Sequence, residues 1–216
     1  MKEKPNEWVS IADLMAGVMA VVMLLLVISV LQRTYAEVRH KQEKEQGAVS
    51  QKRQVTDLLK ELQQSLQNQG SGGLVAFDVD AGKITLRDNI FDKGSACVTQ
   101  QAQGALKSIE ARIATFLAQS RQGQIMVEGH TDSLPVTRPV TDFARFCTVY
   151  DDNYTLSAAR AREARRLLIG VVKEDEARRV VVAGYGDSHP LTGINPADAR
   201  NRRVEVHFVA LEQPRQ

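Results

Sequence analysis

The sequence predicts an α+β protein in which a single N-terminal transmembrane helix and a helical stalk precede an α/β two-layer sandwich. Three observations favour this fold class. Residues 11–31 are one apolar run, residues 33–69 are rich in Gln, Glu and Lys without Pro, and the remainder alternates short β-type runs with helical patterns. The 216 residues are 43% hydrophobic and 25% charged, which excludes a disordered polar tract, a collagen-like chain and a disulfide-dense mini-protein. A net charge of +2 gives no basic field that would indicate nucleic-acid binding.

The first predicted element is the transmembrane helix over residues 11–31. Asp13 is the only charged residue of this run, which at ~1.5 Å per residue spans the ~30 Å hydrocarbon core of a bilayer. Trp8 precedes it, where an indole suits the headgroup level. A secretory signal peptide is the alternative, but the run exceeds the usual ~7–15 apolar residues and no small-x-small cleavage site follows. We expect an uncleaved anchor, with residues 1–10 as a tail before it.

The charges beside this helix indicate its orientation only weakly. A count of nearby basic residues mildly favours the opposite orientation to that of a protein with an exported C-terminal domain, because two precede the run and four follow it: Lys2, Lys4, Arg33, Arg39, Lys41 and Lys44. The tails are short, so the identity of the C-terminal domain is the better guide.

The second predicted element is a helical stalk over residues 32–69. Its apolar residues recur at helical spacing and suggest a partial coiled-coil seam with a second copy of the chain: Val55, Leu58, Leu59, Leu62 and Leu66. The alternative is a linker helix whose leucines contact its own globular domain. Residues 70–73, Gly-Ser-Gly-Gly, then break the helix and form a linker.

The third predicted element is a globular domain over residues 74–210, followed by a C-terminal tail over residues 211–216. The runs LVAFDV and KITLR flank the turn signal Asp80-Ala81-Gly82 and predict a hairpin. Apolar spacing predicts helices over residues 99–120 and 156–172. Further strands are predicted over residues 124–129, 179–183 and 204–209. Helices would pack on one face of the sheet.

Five separated blocks lie within this domain: FDKGS at 91–95, VEGHTD at 127–132, NYTLSAARA at 153–161, GYG at 184–186 with Pro190, and NRRVE at 201–205. Their order and spacing over residues 74–209 resemble the OmpA-type peptidoglycan-binding domain. One departure is a long loop over residues 133–152, where that family usually has a short one. We name residues 133–152 the inserted loop.

The resemblance implies a peptidoglycan site built around Asp132 and Arg160. Meso-diaminopimelate in a stem peptide presents carboxylates and an ammonium, so its pocket needs a cation, an anion and hydrogen-bond donors. Arg160, near the start of a helix, would bind a carboxylate, and Asp132, at the end of a strand, would bind the ammonium. The remaining site residues are Asn153, Leu156 and Arg203. Arg202 and Arg203 are expected to be mainly structural, with one of them, Arg203, contacting the ligand. A structural surface ion pair is the alternative for Asp132 and Arg160.

The sequence indicates neither an enzyme nor a metal site. His130, Asp132 and Ser133 suggest a catalytic triad, but neighbours on a strand alternate faces and no GxSxG elbow is present. The other histidines lie in no metal-ligand spacing such as HExxH and are expected at surface or edge positions: His40, His189 and His207. We expect no catalytic residue, no metal and no cofactor.

The N-terminal block WVSIADLM, residues 8–15, is similar to the opening of MotB-type stator subunits, in which a membrane aspartate after a Trp carries the translocated proton. The matching residue is Asp13. A carboxylate in a bilayer helix costs about 2.5–3.5 kcal/mol, so it indicates function, although an inert interfacial Asp is the alternative. The resemblance implies a bacterial inner-membrane protein with a cytoplasmic N-terminus and a periplasmic C-terminal domain.

Such a helix cannot form an ion pathway alone, because Ser29 is the only other polar residue between positions 11 and 31. The resemblance implies a homodimer wrapped by a multi-spanning MotA-like subunit. The run ADLMAGVMAVVMLLLV with the Gln-rich stalk looks more like the ZorB subunits of Zorya anti-phage defence, with a ZorA-type partner, than like flagellar subunits, which generally have Tyr where Ile11 stands. A flagellar stator subunit and a passive OmpA-type envelope anchor remain alternatives. An ion-carrying Asp13 would distinguish a motor subunit from the passive anchor.

The two cysteines, Cys97 and Cys147, predict one disulfide. One follows the FDKGS block and the other lies in the inserted loop, so both are placed to reach the rim of the implied site. A periplasmic domain is in an oxidising compartment, and the pair leaves no thiol over. Two separately buried thiols are the alternative.

Overall fold

The computed structural model describes residues 7–68, 70, 72–120 and 123–210, which fall into two compact units divided between Val49 and Ser50. The elements in chain order are α1 (Glu7–Asn68), β1 (Val75–Asp78), β2 (Lys83–Arg87), α2 (Gln100–Gln119), β3 (Gly123–His130), α3 (Phe143–Phe146), α4 (Asn153–Leu168), α5 (Glu174–Ala177), β4 (Val180–Gly184) and β5 (Arg203–Ala210). Residues 1–6 of the predicted N-terminal tail, Ser71 of the linker and the C-terminal tail lie outside the described residues.

The first unit consists of the N-terminal part of α1. Its stretch Ile11–Arg39 contains an 18-residue window with a mean hydropathy of 2.9 and is, in the part of the chain that the structure describes, the one helix long and apolar enough to cross a membrane. The side chains described in this stretch are exposed, as they would be against lipid. The helix continues past residue 31 without a break, as the sequence predicts for the stalk.

The second unit contains a five-stranded sheet in the order β1-β2-β5-β3-β4. The predicted hairpin is present, with β1 antiparallel to β2. β5 lies between β2 and β3 and is antiparallel to both, whereas β3 and β4 are parallel and joined through α4. The sequence predicted all five strands to within two residues at each end.

The two long helices of this unit begin at side-chain caps. Thr99 accepts a hydrogen bond from the backbone N–H of Ala102 before α2, and Asp152 accepts one from Thr155 before α4. The sequence predicted α4 to begin at Leu156, three residues late, because the Asp152 cap lies ahead of the first buried apolar side chain. The apolar sides of both helices lie in one core with the inward-facing strand residues.

The end of α1 belongs to this core, which corrects the expected coiled-coil seam. Leu59, Leu62 and Leu66 are at most 1% exposed and cluster with buried residues of the sheet and of α2. An ion pair between Glu61 and Arg112, 2.8 Å apart, adds a contact to α2. The alternative interpretation of these leucines is therefore the right one, and the compact unit begins near Ser50 rather than at residue 74.

Two glycines let α4 lie directly on the sheet. A Cβ atom at Gly184 would lie 2.6 Å from the Cβ of Ala158, and one at Gly129 would overlap the backbone of Ser157. Neither position has room for any side chain, so the start of α4 packs against β3 and β4 by backbone contact. This close approach brings Arg160 to the ends of the strands that carry Asp132 and Arg202.

Candidate functional site

An open cleft of about 1370 Å³ lies where β2, β3 and β5 approach the start of α4. The five side chains that the sequence predicted for the site all line it: Asp132, Asn153, Leu156, Arg160 and Arg203. Residues 134–138 of the inserted loop form part of its wall. The cleft therefore gathers the predicted residues from three separate motifs into one place.

Arg160 lies at the inner end of the cleft and is only 2% exposed. Its Nε donates to the carbonyl of Ser95 at 2.9 Å, and its Nη1 is 3.2 Å from Asp88 Oδ1. The guanidinium also lies 5.3 Å from the ring centroid of Phe91, within cation–π range. Burial lowers the pKa of Arg160 and the Asp88 carboxylate opposes this, so the guanidinium stays protonated at neutral pH.

Asp132 lies just beyond the end of β3, and its side chain is 8% exposed. Its Oδ1 accepts from the backbone N–H of Leu134 at 3.3 Å, while its Oδ2 is 2.6 Å from Arg202 Nη1. The described contacts do not pair Asp132 with Arg160 directly. Each is paired with a residue that the predicted site did not include.

Those two residues, Asp88 and Arg202, complete an alternating chain of charges. Arg202 donates from Nε at 2.9 Å and from Nη2 at 2.8 Å to Asp88 Oδ2, and the other oxygen of Asp88 faces Arg160. The hydrogen bond to Asp88 raises the pKa of Arg202 further above its ordinary value. We name Asp88, Asp132, Arg160 and Arg202 the charge network. The charge network contains two cations and two anions. A zwitterionic ligand can therefore pair its carboxylate with the cations and its ammonium with the anions, so that every charge in the cleft keeps an opposite partner.

Asn153 and Leu156 contribute differently. Asn153 Nδ2 donates to the carbonyls of Asp132 at 3.2 Å and Leu134 at 3.0 Å, so this side chain fixes the backbone that carries the Asp132 carboxylate. Leu156 is 7% exposed and gives the cleft an apolar patch one turn before Arg160.

Arg203 lines the cleft, but each of its guanidinium nitrogens already donates within the chain. Nε donates to Glu205 Oε1 at 2.7 Å, Nη1 to the carbonyl of Asn201 at 3.2 Å and Nη2 to that of His189 at 3.3 Å. The three guanidinium nitrogens of Arg202 are likewise paired within the chain, but its side chain is 32% exposed against 7% for Arg203, so Arg202 is the more accessible of the two neighbouring arginines.

The inserted loop is tied to the rest of the cleft at several points. A disulfide joins Cys97 and Cys147, the pair that the sequence predicts, with their Cα atoms 5.1 Å apart. Tyr150 Oη donates to the carbonyl of Gly94 at 2.6 Å, and burial raises the pKa of this phenol. Ser95 Oγ donates to the carbonyl of Phe146 at 2.9 Å. The loop is thus a fixed wall.

His130 does not form part of a triad. It is 3% exposed, and neither ring nitrogen has a hydrogen-bond partner among the described residues. Its ring stacks on Tyr185 with the centroids 5.5 Å apart. Burial and the nearby Arg203 lower the pKa of His130 to about 4, so the imidazole is neutral at physiological pH. Ser133, the expected nucleophile of such a triad, is exposed.

A second polar group lies on the sheet face away from α2 and α4. Glu128, Glu205 and His207 are close enough to hold a metal ion, which their sequence spacing did not indicate. Lys83 Nζ, however, lies 3.2 Å from Glu205 Oε2, the oxygen that His207 Nε2 contacts at 3.0 Å. Burial raises the pKa of Glu205, but hydrogen bonds from His207 and Arg203 outweigh it and hold the pKa well below its ordinary value. The Glu205 carboxylate is thus already compensated by Lys83 and Arg203.

The comparisons with known proteins agree with this fold. Residues 90–203, more than half of the chain, match the OmpA family. No curated protein sequence matches the chain.

Three solved structures illustrate the similarity. The cell wall anchor of the T6SS from Pseudomonas aeruginosa is 32% identical, with 70% of this chain and 97% of that chain covered, at a TM-score of 0.49. A MotB-like protein from Desulfovibrio vulgaris is 24% identical, with 74% and 99% covered, at a TM-score of 0.50. The periplasmic domain of Helicobacter pylori MotB is 22% identical, with 59% and 75% covered, at a TM-score of 0.44. With its sheet, its helices and its motifs in the family's order, this chain belongs to the OmpA family.

Proposed function

We propose that this chain is the peptidoglycan-anchored B subunit of a proton-driven motor in the bacterial inner membrane. The observation that carries the proposal is the charge network, which places a buried guanidinium and a nearly buried carboxylate in one open cleft. A membrane-length helix with a single carboxylate, Asp13, precedes the domain on the same chain.

The charge network suits meso-diaminopimelate of a peptidoglycan stem peptide. A carboxylate of the ligand would take the place of Asp88 as the partner of Arg160 and Arg202. The ligand's ammonium would then become the cationic partner of Asp88 and Asp132. None of the hydrogen bonds described for Arg160 uses Nη2, which leaves one nitrogen for a ligand. Leu156 would contact the aliphatic part of the diamino acid.

The motor part of the proposal depends on Asp13. A carboxylate that takes up an ion on one side and releases it on the other gains about 2.3 kcal/mol per 100 mV of membrane potential. The pathway needs more polar groups than one helix supplies, so we propose a homodimer inside a multi-spanning MotA-like subunit, with the N-terminus cytoplasmic and the domain periplasmic. Among such motors, the apolar run after Asp13 favours a ZorB-type subunit of Zorya defence with a ZorA-type partner over a flagellar one.

Wall binding is tested by co-sedimentation of the full chain with isolated peptidoglycan sacculi. We expect Asp132→Ala combined with Arg160→Ala to abolish co-sedimentation, because both charged ends of the ligand lose their partners. Arg160 is buried, so Asp132→Asn is measured beside it as a milder change, with circular dichroism to verify folding. Arg166→Ala is the matched control, since this arginine lies on the same helix with its side chain 69% exposed.

If the folded double variant binds sacculi as the native chain does, the charge network is not the wall-binding site. Loss of binding in Arg166→Ala as well would show that charge on α4 in general, rather than the cleft, is responsible.

A further inference from the structure

The cleft carries more positive charge than its own acidic residues neutralise. Two acidic side chains line it, Asp88 and Asp132, against seven basic ones: Arg87, Lys93, Arg138, Arg160, Arg200, Arg202 and Arg203. Four of these cations are accounted for, because two belong to the charge network, Arg203 pairs with Glu205 and Arg200 pairs with Asp198. Among the described residues, the other three have no acidic partner.

Those three cations, Arg87, Lys93 and Arg138, come from different walls of the cleft. Arg87 ends β2 next to Asp88, Lys93 precedes the turn at Gly94, and Arg138 lies in the inserted loop. All three side chains are exposed, so they meet a ligand in the cleft without first having to break an internal ion pair. We name them the rim cations.

The inserted loop holds its cation in a defined place. Asn153 Nδ2 fixes the carbonyl of Leu134 before Arg138, and the backbones of Val140 and Tyr150 pair after it through two hydrogen bonds of 2.8 and 3.0 Å. The disulfide then ties the end of the loop to the segment before α2. Arg138 is therefore presented from an anchored wall.

The size of the cleft also exceeds what one diamino acid needs. Its volume of about 1370 Å³ is above the ~300–1000 Å³ of sites that bury a drug-sized ligand. Neighbouring residues of a stem peptide therefore have room beside the diaminopimelate. Those neighbours carry carboxylates, because the preceding glutamate is linked through its side chain and keeps a free α-carboxylate, and the last residue ends in one.

We propose that the inserted loop makes the cleft selective for the anionic form of the stem peptide. Arg138, together with Arg87 and Lys93, binds the free carboxylates that flank the diaminopimelate, and stems in which those carboxylates are amidated bind more weakly. This inference rests on the proposed wall binding and adds to it the chemical form of the ligand. It also gives the loop, by which this chain departs from the usual family pattern, a part in recognition.

The test is isothermal titration of the full chain in detergent with two synthetic stem peptides. One is L-Ala-γ-D-Glu-meso-diaminopimelate-D-Ala with its glutamate α-carboxylate free, and the other carries the amide there. We expect the amidated peptide to bind the native chain roughly two- to fivefold more weakly, the upper range of one charge contact at an exposed site. Arg87→Gln combined with Arg138→Gln should lower the affinity for the non-amidated peptide by a similar factor. The ratio of the two peptide affinities should then come close to one.

The matched control is Arg178→Gln, an arginine that is 78% exposed, lies outside the cleft and should leave the ratio unchanged. Equal binding of both peptides by the native chain would overturn the selectivity, as would an unchanged ratio in the rim variant. Displacement of the non-amidated peptide by inorganic phosphate would show that the rim cations bind anions in general. That result would also overturn the proposed selectivity. Wall binding is judged separately: if the Asp132 and Arg160 double variant still binds both peptides, the proposed function itself fails.

Discussion

At the scale of single residues, the cleft depends on an arginine that is buried without being isolated. Arg160 is almost fully buried, yet it meets a carboxylate, a carbonyl and an aromatic face. A buried charge with one partner removed is costly, whereas a buried charge that changes partners is not. The charge network thus allows a ligand's carboxylate to replace Asp88 while Arg160 remains paired throughout.

A different buried residue gives the domain a pH dependence. The pKa of His130 is lowered to about 4 in the folded state, mainly by burial, against 6.5 for the free side chain. Between these values the unfolded chain binds the proton and the folded chain does not, so stability falls as pH falls from about 6.5 towards 4. We expect a loss of roughly 2 kcal/mol from His130 between about pH 7.5 and about pH 5.

The measurement is thermal unfolding of the full chain in detergent at both pH values, followed by near-ultraviolet circular dichroism. His130→Gln should reduce the loss, because Gln does not titrate, while Arg178→Gln, at a position that is 78% exposed, should keep it. An equal acid sensitivity in His130→Gln and the native chain would show that other groups cause it.

At the scale of elements, local patterns predicted what local chemistry determines. The β1–β2 hairpin follows from a turn signal between two β-type runs, and α2 follows from apolar residues at helical spacing. The partner of an apolar stripe is not a local property, so the leucines at the end of α1 were assigned to a coiled coil although they pack on their own sheet. Asp88 was missed for the same reason, because its partners at positions 160 and 202 meet it only in the folded chain.

The end of α1 therefore contributes directly to the stability of the domain. We expect Leu62→Ala to lower the free energy of unfolding by about 2–5 kcal/mol, because a fully buried leucine leaves a cavity. Val49→Ala, on the same helix at a position 53% exposed, should cost far less. The comparison is made by urea unfolding, with analytical ultracentrifugation of both variants.

A coiled-coil role for the stripe makes the opposite prediction. Leu62→Ala would then change the state of association of the chain and leave the unfolding of its domain nearly unaffected.

At the scale of the whole molecule, two compact units carry two separable chemistries on one chain. The first contains Asp13, the only carboxylate of residues 11–31, in an apolar stretch of helix, and the second contains the charge network in an OmpA-type fold. Since the leucine stripe is used within the second unit, the proposed dimer has to form through residues other than this stripe. Among the described residues, the exposed side chains of Ile11–Arg39 offer an apolar surface that a second copy could share.

The ion-carrying role of the first unit is tested with Asp13→Asn. The amide keeps the size and the hydrogen bonding of the side chain but cannot exchange a proton, so we expect ion-dependent function to be lost while expression and wall binding persist. The readouts are protection against phage and swimming motility in cells that also contain the MotA-like subunit, with sacculi co-sedimentation as the control. Full activity of the Asn variant would reject the ion-carrying role of Asp13.

The disulfide makes the wall of the cleft depend on the redox state of the compartment that contains the chain. Disulfides close in oxidising compartments and stay open in the reducing cytosol. In a chain with both thiols reduced, the end of the inserted loop is not covalently tied to the segment before α2. In the proposed periplasmic location, oxidation of Cys97 and Cys147 would therefore fix the wall that the inserted loop forms beside the cleft.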